Sequence, residues 1–476
     1  MSIQTAVKSI QDIMRKDAGV DGDAQRLSQL VWMLFLKIID DAEDNQKLMD
    51  PKYRSPIPEK FRWRNWAKDP EGITGDELLD FINNKLFKAL KSVSADPERN
   101  PRGFLVREMF DGAFNYMKDG TLIRQVINKL NEVDFNKTDD RHHFNEVYEH
   151  MLKELQSAGN AGEFYTPRPL TKFVVDTVDP KLGEIVFDPA CGTGGFLVNT
   201  LEYARTNHEV KTKADERKLQ VSIRGVELKS LPYFLAITNM ILHGVEVPNI
   251  VHDDSLSRPL RDIGPKNRVD VIMTNPPFGG VVKDGTQKNF PVEFQTKDTA
   301  LLFLVLFIHL LKPNGRAGVI LPDGVLFGEE GAATAVKKKL LAECNVHTIV
   351  RLPPGVFNPY SPVNTNLVFF NKGTPTKEIW YYQLPLPEGM KQYTKNRGIT
   401  HEEFDPVRRW WKNRRAGDHA WKVSIGEIEK HNYNLDFKNP NGGGKVEHAD
   451  PKEILKNITG NEKGIEDILN NLKHNL

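Results

Sequence analysis

Phe187-Asp-Pro-Ala-Cys-Gly-Thr-Gly-Gly-Phe-Leu197 decides how this chain folds. An apolar run, Ile185–Asp188, ends in an acid, a loop with Gly192, Gly194 and Gly195 follows, and a helical pattern then begins. At the carboxyl end of the first strand of an α/β sheet, such a loop lets backbone N–H groups approach a ligand closely. Alone it is compatible with NAD, with FAD or with a tight turn. Its Gly-x-Gly-Gly spacing is not the dinucleotide Gly-x-Gly-x-x-Gly, and no P-loop motif occurs in the chain.

Working outward, Ser222–Glu227, Val269–Thr274, Ala317–Leu321, His347–Leu352 and Asn366–Phe370 are short β-branched runs that predict further strands. Helical patterns lie between them, such as Thr299–Leu311, closed by Lys312-Pro-Asn-Gly315. Alternating strands and helices predict an α/β domain over 156–374, its mostly parallel sheet covered on both faces. Residues 1–155 read as helical: Leu27, Leu30, Val31, Leu34, Phe35, Ile38 and Ile39 form one apolar stripe. Prolines break the pattern over 51–58, and helices are predicted again at Glu77–Leu90 and Phe144–Leu155. His142, His143 and His150 lie beside Glu146, but without a metal motif they read as solvated or capping histidines, and no metal is expected. Over 375–476 the pattern loosens into a C-terminal, mostly helical region. Within 406–422, six Lys/Arg against one Asp leave +5. Ile465, Ile468, Leu469, Leu472 and Leu476 suit an amphipathic helix, packed on its own domain or held by another subunit.

The chain's 476 residues suggest about three domains. Its 65 Lys+Arg against 64 Asp+Glu exclude a protein held on DNA by overall charge, so any nucleic-acid surface must be local. Two cysteines, Cys191 and Cys344, exclude a disulfide scaffold and a Cys-rich zinc module. Cys191 has no local His or Asn to activate it and is not expected to be a nucleophile. The longest apolar stretch, Ala300–Ile308, is about half of what a membrane helix needs. The mixed-charge start lacks a signal-peptide core. No membrane association is expected, and a prokaryotic cytoplasmic location is.

Two further stretches carry chemistry. In Gly225-Val-Glu-Leu228, at the end of the next strand, Glu227 can accept both hydrogen bonds of a ribose diol. In Val269-Asp-Val-Ile-Met-Thr-Asn-Pro-Pro-Phe278, a buried strand delivers Asn275 to its carboxyl end, and two prolines stiffen the next turn. The Asn275 amide oxygen and the Pro276 carbonyl can accept both hydrogens of an exocyclic amine and free its lone pair for attack. Pro277 completes the turn, and Phe278 offers an aromatic face to a base taken out of its stack.

These stretches resemble motifs I, II and IV of S-adenosylmethionine-dependent amino-methyltransferases. Gly162-Glu-Phe-Tyr-Thr-Pro-Arg168 resembles motif X placed ahead of motif I, the gamma-type order. With the helical N-terminal region and Asn432-Tyr-Asn-Leu-Asp-Phe437, the resemblance extends over nearly the whole chain. It is to the modification (methylation) subunit of type I restriction–modification systems, gamma-type N6-adenine DNA methyltransferases. The resemblance implies a Rossmann-like methyltransferase sheet and S-adenosyl-L-methionine as cofactor. Glu163, Phe164, Tyr165, Thr166, Pro167 and Arg168 then close over its methionine end, with Thr166 able to cap a helix that has Pro167 at its first position. Gly192, Thr193, Gly194, Gly195 and Phe196 lie under the cofactor, Asp188 anchors the loop and Glu227 holds the ribose. His252-Asp-Asp-Ser-Leu256 is similar to motif III; of its two acids, Asp254, directly before Ser-Leu, is preferred over Asp253 as the cofactor-adenine ligand.

The implied reaction is in-line methyl transfer to the adenine N6 amine in duplex DNA, without a covalent enzyme intermediate. Methylation of cytosine N4 or of RNA guanine N2, or an inactive DNA-binding scaffold, are the alternatives. The implied assembly places two methylation subunits on one DNA-specificity subunit, joined by a motor or restriction subunit when restriction is needed. Too little chain follows residue 375 for a target-recognition region, so sequence reading is expected to lie in another subunit.

Overall fold

The structure, a computed structural model, describes residues 3–49, 53–94, 96–135, 148, 165–208, 210–329, 331–359 and 361–441. Its strands are β1 (Val186–Asp188), β2 (Ile223–Glu227), β3 (Asn249–His252), β4 (Val269–Thr274), β5 (Leu311–Pro322), β6 (Cys344–Arg351), β7 (Thr365–Lys372), β8 (Glu378–Gln383) and β9 (Ala420–Ser424). They form one sheet in the order β3-β2-β1-β4-β5-β7-β6-β8-β9. The β1–β2, β2–β3, β1–β4, β4–β5 and β6–β8 pairs are parallel, while β7 runs antiparallel to β5 and β6, and β9 to β8.

The central strands are apolar on both sides because both faces are covered. Val271 and Met273 of β4 join a core under helix Arg168–Val178, whereas Ile272 joins the opposite core under helix Thr299–Leu310. Ile320 and Val319 of β5 divide in the same way, as do Leu367 and Val368 of β7.

Beyond residue 374 the same sheet continues. Ile379 and Tyr381 of β8 enter one core and Tyr382 the other, so β8 and β9 extend the sheet past the boundary expected at 374. Helices Asp405–Lys412 and Ile425–Lys430 supply the helical part of this region. The expected helix closure at Lys312–Gly315 is instead an excursion within β5. Val269 pairs with Leu311 but Val271 with Arg316, and Asn314 adopts φ +63° to make the bend.

In the helical region, Asp23–Met49 carries the predicted stripe inward. The stretch predicted as Glu77–Leu90 is helical from Gly75 to Lys91, with a π segment at Phe81–Leu86. All of Phe144–Leu155 except Tyr148, together with His142 and His143, lies outside the described residues, as does the tail Ile465–Leu476. The helical core is continuous with helices Gly195–Asn207 and Ser230–Leu242, which flank the first sheet edge. Tyr148 donates from its hydroxyl to the Leu235 carbonyl at 2.9 Å, and Arg102 pairs with Glu246 at 2.8 Å.

Buried Arg124 ties the helical region internally. Its guanidinium donates to the carbonyls of Trp66, Ala67, Asp69 and Ile73 at 2.7–3.2 Å. Arg124→Met keeps the stem but strands those acceptors, so we expect a loss on the order of 3 kcal/mol, seen as a lowered first thermal transition. An unchanged melt would show that the carbonyls find other donors.

Candidate active site

The parallel half of the sheet changes direction at β1, whose neighbours are β2 on one side and β4 on the other. Ligands of open α/β sheets bind at the carboxyl ends of the strands at such a switch point. A cleft of about 380 Å³ opens there. Thr166, Asp188, Gly192, Thr193, Gly195, Phe196, Glu227, Asp254, Asn275 and Pro277 line it. Asp253 lines it too, so the structure brings both candidate acids of that motif to the site. Tyr165, Pro167, Arg168, Gly194, Pro276 and Phe278 stand behind or beside the lining, and Glu163 and Phe164 lie outside the described residues.

The glycine loop is shaped by backbone that an L side chain rarely adopts. Gly192 and Gly194 have φ +54° and +80°, and Gly194 leads directly into helix Gly195–Asn207. A Cβ at Gly195 would overlap the Arg168 guanidinium, which also lies 5.4 Å over the Tyr165 ring. Arg168 therefore packs against the loop from outside. Glu227, almost fully buried, accepts the Gly192 N–H at 2.9 Å and the Lys229 N–H at 2.8 Å. Burial raises its pKa.

Asp188 accepts the Ala190 N–H at 3.1 Å through Oδ1, and that bond and the nearby Thr274 hydroxyl favour its charged form. Burial, with the Glu227 charge adding to it, pushes Asp188 up to about 7. Cys191, also in the lining, is buried, and burial pushes its thiol well above the usual range; it supplies packing. Asp254 accepts the Leu256 N–H at 2.9 Å, and Asp253 the Asp254 N–H at 2.7 Å.

Asn275 stands at the end of β4. Its Nδ2 donates to Thr166 Oγ1 at 2.9 Å, while its Oδ1 is buried with no partner among the described residues. Thr166 is thus not a helix cap. Pro167 occupies the cap position, with φ −52° and ψ 129°, and the helix begins at Arg168. Pro169, in the first turn, sits where a missing N–H costs nothing. The Phe278 ring lies edge-on to Phe357 at 5.7 Å, outside the cleft lining and not in the expected open position.

Sequence reasoning missed the wall formed by Gly280, Val281, Val282, Lys283, Thr299 and Phe303. The signal was Gly279-Gly280 directly after Phe278. Gly279 turns at φ +63°, and Gly280 presents its carbonyl to the Thr299 N–H and hydroxyl at 3.1 and 2.7 Å. Ser255 was missed as well; its hydroxyl donates to the Pro189 carbonyl at 2.6 Å and joins the two loops.

Residues 139–449 match the N-6 DNA Methylase family, and residues 3–130 match the HsdM N-terminal domain. The methylase subunit of the type I restriction enzyme EcoEI from Escherichia coli is 54% identical over 99% of this chain and 97% of that protein. The chain belongs to the methylase subunits of type I restriction enzymes. The EcoKI methylase subunit of Escherichia coli K12 is 29% identical over 83% of this chain and 73% of that protein. Among solved structures, the modification subunit of a type I restriction enzyme from Vibrio vulnificus YJ016 is 45% identical, with a TM-score of 0.83 over 93% of this chain and 97% of that one. A chain from a study of assembly and conformational transition of the type I R-M system is 38% identical, with a TM-score of 0.84 over 99% and 98%. The fold is that of methyltransferases with an N-terminal helical domain, and this methylase subunit is a DNA methyltransferase, which sets aside the inactive scaffold. Among the described residues no helix is long and apolar enough to cross a membrane, and no group of three or more His, Cys, Asp or Glu could hold a metal.

Buried Asp188 gives stability a pH dependence of definite sign. An acid whose pKa rises on folding favours its protonated form in the folded state, so stability falls as pH climbs from about 4 towards 7. Asp188→Asn removes that cost while keeping an acceptor for Ala190. Thermal melts should show a gain about 2–3 kcal/mol larger at pH 8 than at pH 5. Equal gains at both pH values would mean that Asp188 titrates normally.

Proposed function

We propose that this methylase subunit transfers a methyl group from S-adenosylmethionine to the N6 amine of adenine in duplex DNA, with sequence specificity supplied by another subunit. The buried, unpartnered Asn275 Oδ1 in the cleft carries this reading. A buried acceptor without a donor costs about 1–3 kcal/mol, and a substrate amine relieves that cost on arrival. Prolines at 276 and 277 have no N–H to satisfy it from within the turn. The Pro276 carbonyl is the second acceptor for the amine; Phe278, packed edge-on to Phe357 beside the cleft, meets the base only if its ring turns inward when the base enters. With both hydrogens held, the nitrogen lone pair is left free as the nucleophile. Membership of the N-6 DNA methylase family favours adenine N6 over cytosine N4 or RNA guanine N2.

The lining fits the cofactor. Asp188 and nearby Glu227, two acids that burial raises toward their protonated forms, would be drawn into their charged forms by a cation with amine donors. Glu227 uses one bond per oxygen on backbone amides, leaving acceptor capacity for a ribose diol. Gly192, Thr193, Gly194, Gly195 and Phe196 shape the loop beneath, and Asp254, half-buried and fixed by its turn bond, reads the adenine ring. Of the described residues of that stretch, Tyr165, Pro167 and Arg168 are left to cover the methionine end, while the Thr166 hydroxyl is engaged with Asn275. When bound, S-adenosylmethionine supplies an electrophilic methyl on a sulfonium; the chain's contribution is position and charge.

In this reading the working units are the helical region 1–155 and a catalytic segment from 156 whose sheet continues past 374 through β8 and β9, with partner binding assigned to the remainder of 375–476. Two such subunits share one specificity subunit, with a motor or restriction subunit added for restriction, in a prokaryotic cytoplasm.

Asn275→Ala should leave equilibrium binding of labelled S-adenosylmethionine intact while methyl transfer to duplex DNA, assayed with the specificity subunit, falls at least about 100-fold. Near-normal turnover would remove Asn275 from the chemistry. Glu227→Ala loses the diol acceptor, and Gly194→Val strains a φ of +80°. Each should weaken cofactor binding about tenfold or more with no DNA present. Parental affinity in both would mean that the cofactor lies elsewhere.

A further inference from the structure

The Asn275 carboxamide has two unlike ends, and the chemistry proposed for it works in only one orientation. With Oδ1 toward the cleft it accepts from an amine. Turned over, it would present N–H donors to another donor. Nothing in β4 itself selects the orientation, because the residues that follow Asn275 are both prolines. The other end of the amide does meet a partner: Nδ2 donates to Thr166 Oγ1 at 2.9 Å, across 109 residues of chain. Thr166 lines the same cleft, in the short extended stretch before helix Arg168–Val178, where Pro167 and Pro169 stiffen the backbone on its C-terminal side.

We infer that Thr166 is a positioning residue: its hydroxyl accepts from the NH2 end of Asn275 and holds the amide where Oδ1 is left for the target amine. The inference rests on the reading of Asn275 as the amine acceptor and assigns Thr166 a role other than holding the cofactor. The hydroxyl touches neither reacting atom. It acts by restricting rotation of the amide, which matters because a misaimed acceptor contributes nothing when charge develops on the nitrogen.

A double-mutant cycle in the full chain, assembled with a specificity subunit on a duplex carrying one site, tests this. Thr166→Val removes the acceptor, Thr166→Ser keeps it, and Asn275→Ala removes the group acted upon. Single-turnover methyl transfer and equilibrium binding of labelled S-adenosylmethionine are measured for each, with thermal melts to establish folding. Thr166→Val should slow transfer about 10–100-fold with cofactor affinity within about twofold of the parent, and Thr166→Ser should restore most of the rate. In the Asn275→Ala background, Thr166→Val should have no further effect, since nothing remains to aim. The inference is overturned if Thr166→Val transfers at the parental rate, or if the two losses multiply. It also falls if Thr166→Val weakens cofactor binding by the factor that it slows transfer, which would make Thr166 a cofactor contact. If Thr166→Val does not fold, Thr166→Ser alone decides: a rate as low as that of Asn275→Ala in a folded protein is the overturning result. Full activity of Asn275→Ala would instead sink the acceptor reading itself, whereas a crippled Asn275→Ala beside an unaffected Thr166→Val sinks only the positioning role.

Discussion

A hydrogen-bond acceptor stays buried and unpaired only where the neighbouring chain is denied donors, and that constraint organises this site. Asn and Asp side chains commonly close on the N–H two residues ahead. Asp188 does so with Ala190, and Asp254 with Leu256. Asn275 cannot, because the residue two ahead is Pro277 and the one between is Pro276. The rest of the geometry follows. β4 is buried along its length so that Asn275 emerges at a fixed point, and Thr166 occupies the NH2 end. The oxygen is left unpaired, which is what the proposed transfer needs.

The side of the cleft proposed for the cofactor is built the opposite way, from groups already engaged. Glu227 closes the gap between β2 and the glycine loop through the Gly192 amide, and the Cys191 N–H donates to the Val226 carbonyl at 3.0 Å. Gly225 lets the loop lie that close. A Cβ there would come within 2.9 Å of Leu197 Cδ1 and 3.1 Å of Cys191 Sγ. Cys191 is therefore a small apolar filler between strand and helix, and the same burial that suits it to packing suppresses its thiolate.

Strands buried on both faces were legible in the sequence because apolar side chains run through them without a break. Val269–Thr274 is β4 to the residue, and β6 and β7 differ from expectation only at their ends. β3 was not legible as a strand: at the sheet edge only Ile250 is buried, so Asn249–His252 has no apolar rhythm. β8 and β9 were passed over because Glu378, Lys422 and their neighbours mix charge with aromatics, although Tyr381 and Trp421 stack at 5.4 Å in the core. At the site, residue types announced the glycine loop, Glu227 and Asn275. Thr166 was misread because Thr-Pro before a helix also describes a cap, and only the fold brings Asn275 within reach of its hydroxyl. The Gly280–Lys283 wall was hidden in a loop whose shape depends on Thr299, a residue that reads as the start of a core helix.

The helical region also bears on the site through a chain of contacts. It shares one core with helix Ser230–Leu242, where Phe234 lies so close to Gly112 that a Cβ would overlap the ring, and where Tyr148 meets the Leu235 carbonyl. That helix starts three residues after Glu227, and near its far end Asn239 donates to the Thr193 carbonyl at 3.0 Å, inside the glycine loop. One helix is thus pressed by the helical core on one side and holds the loop on the other. Packed cores transmit displacement because they have few voids to absorb it. Packed contacts therefore run from the helical region through this one helix to Thr193 in the wall of the cleft.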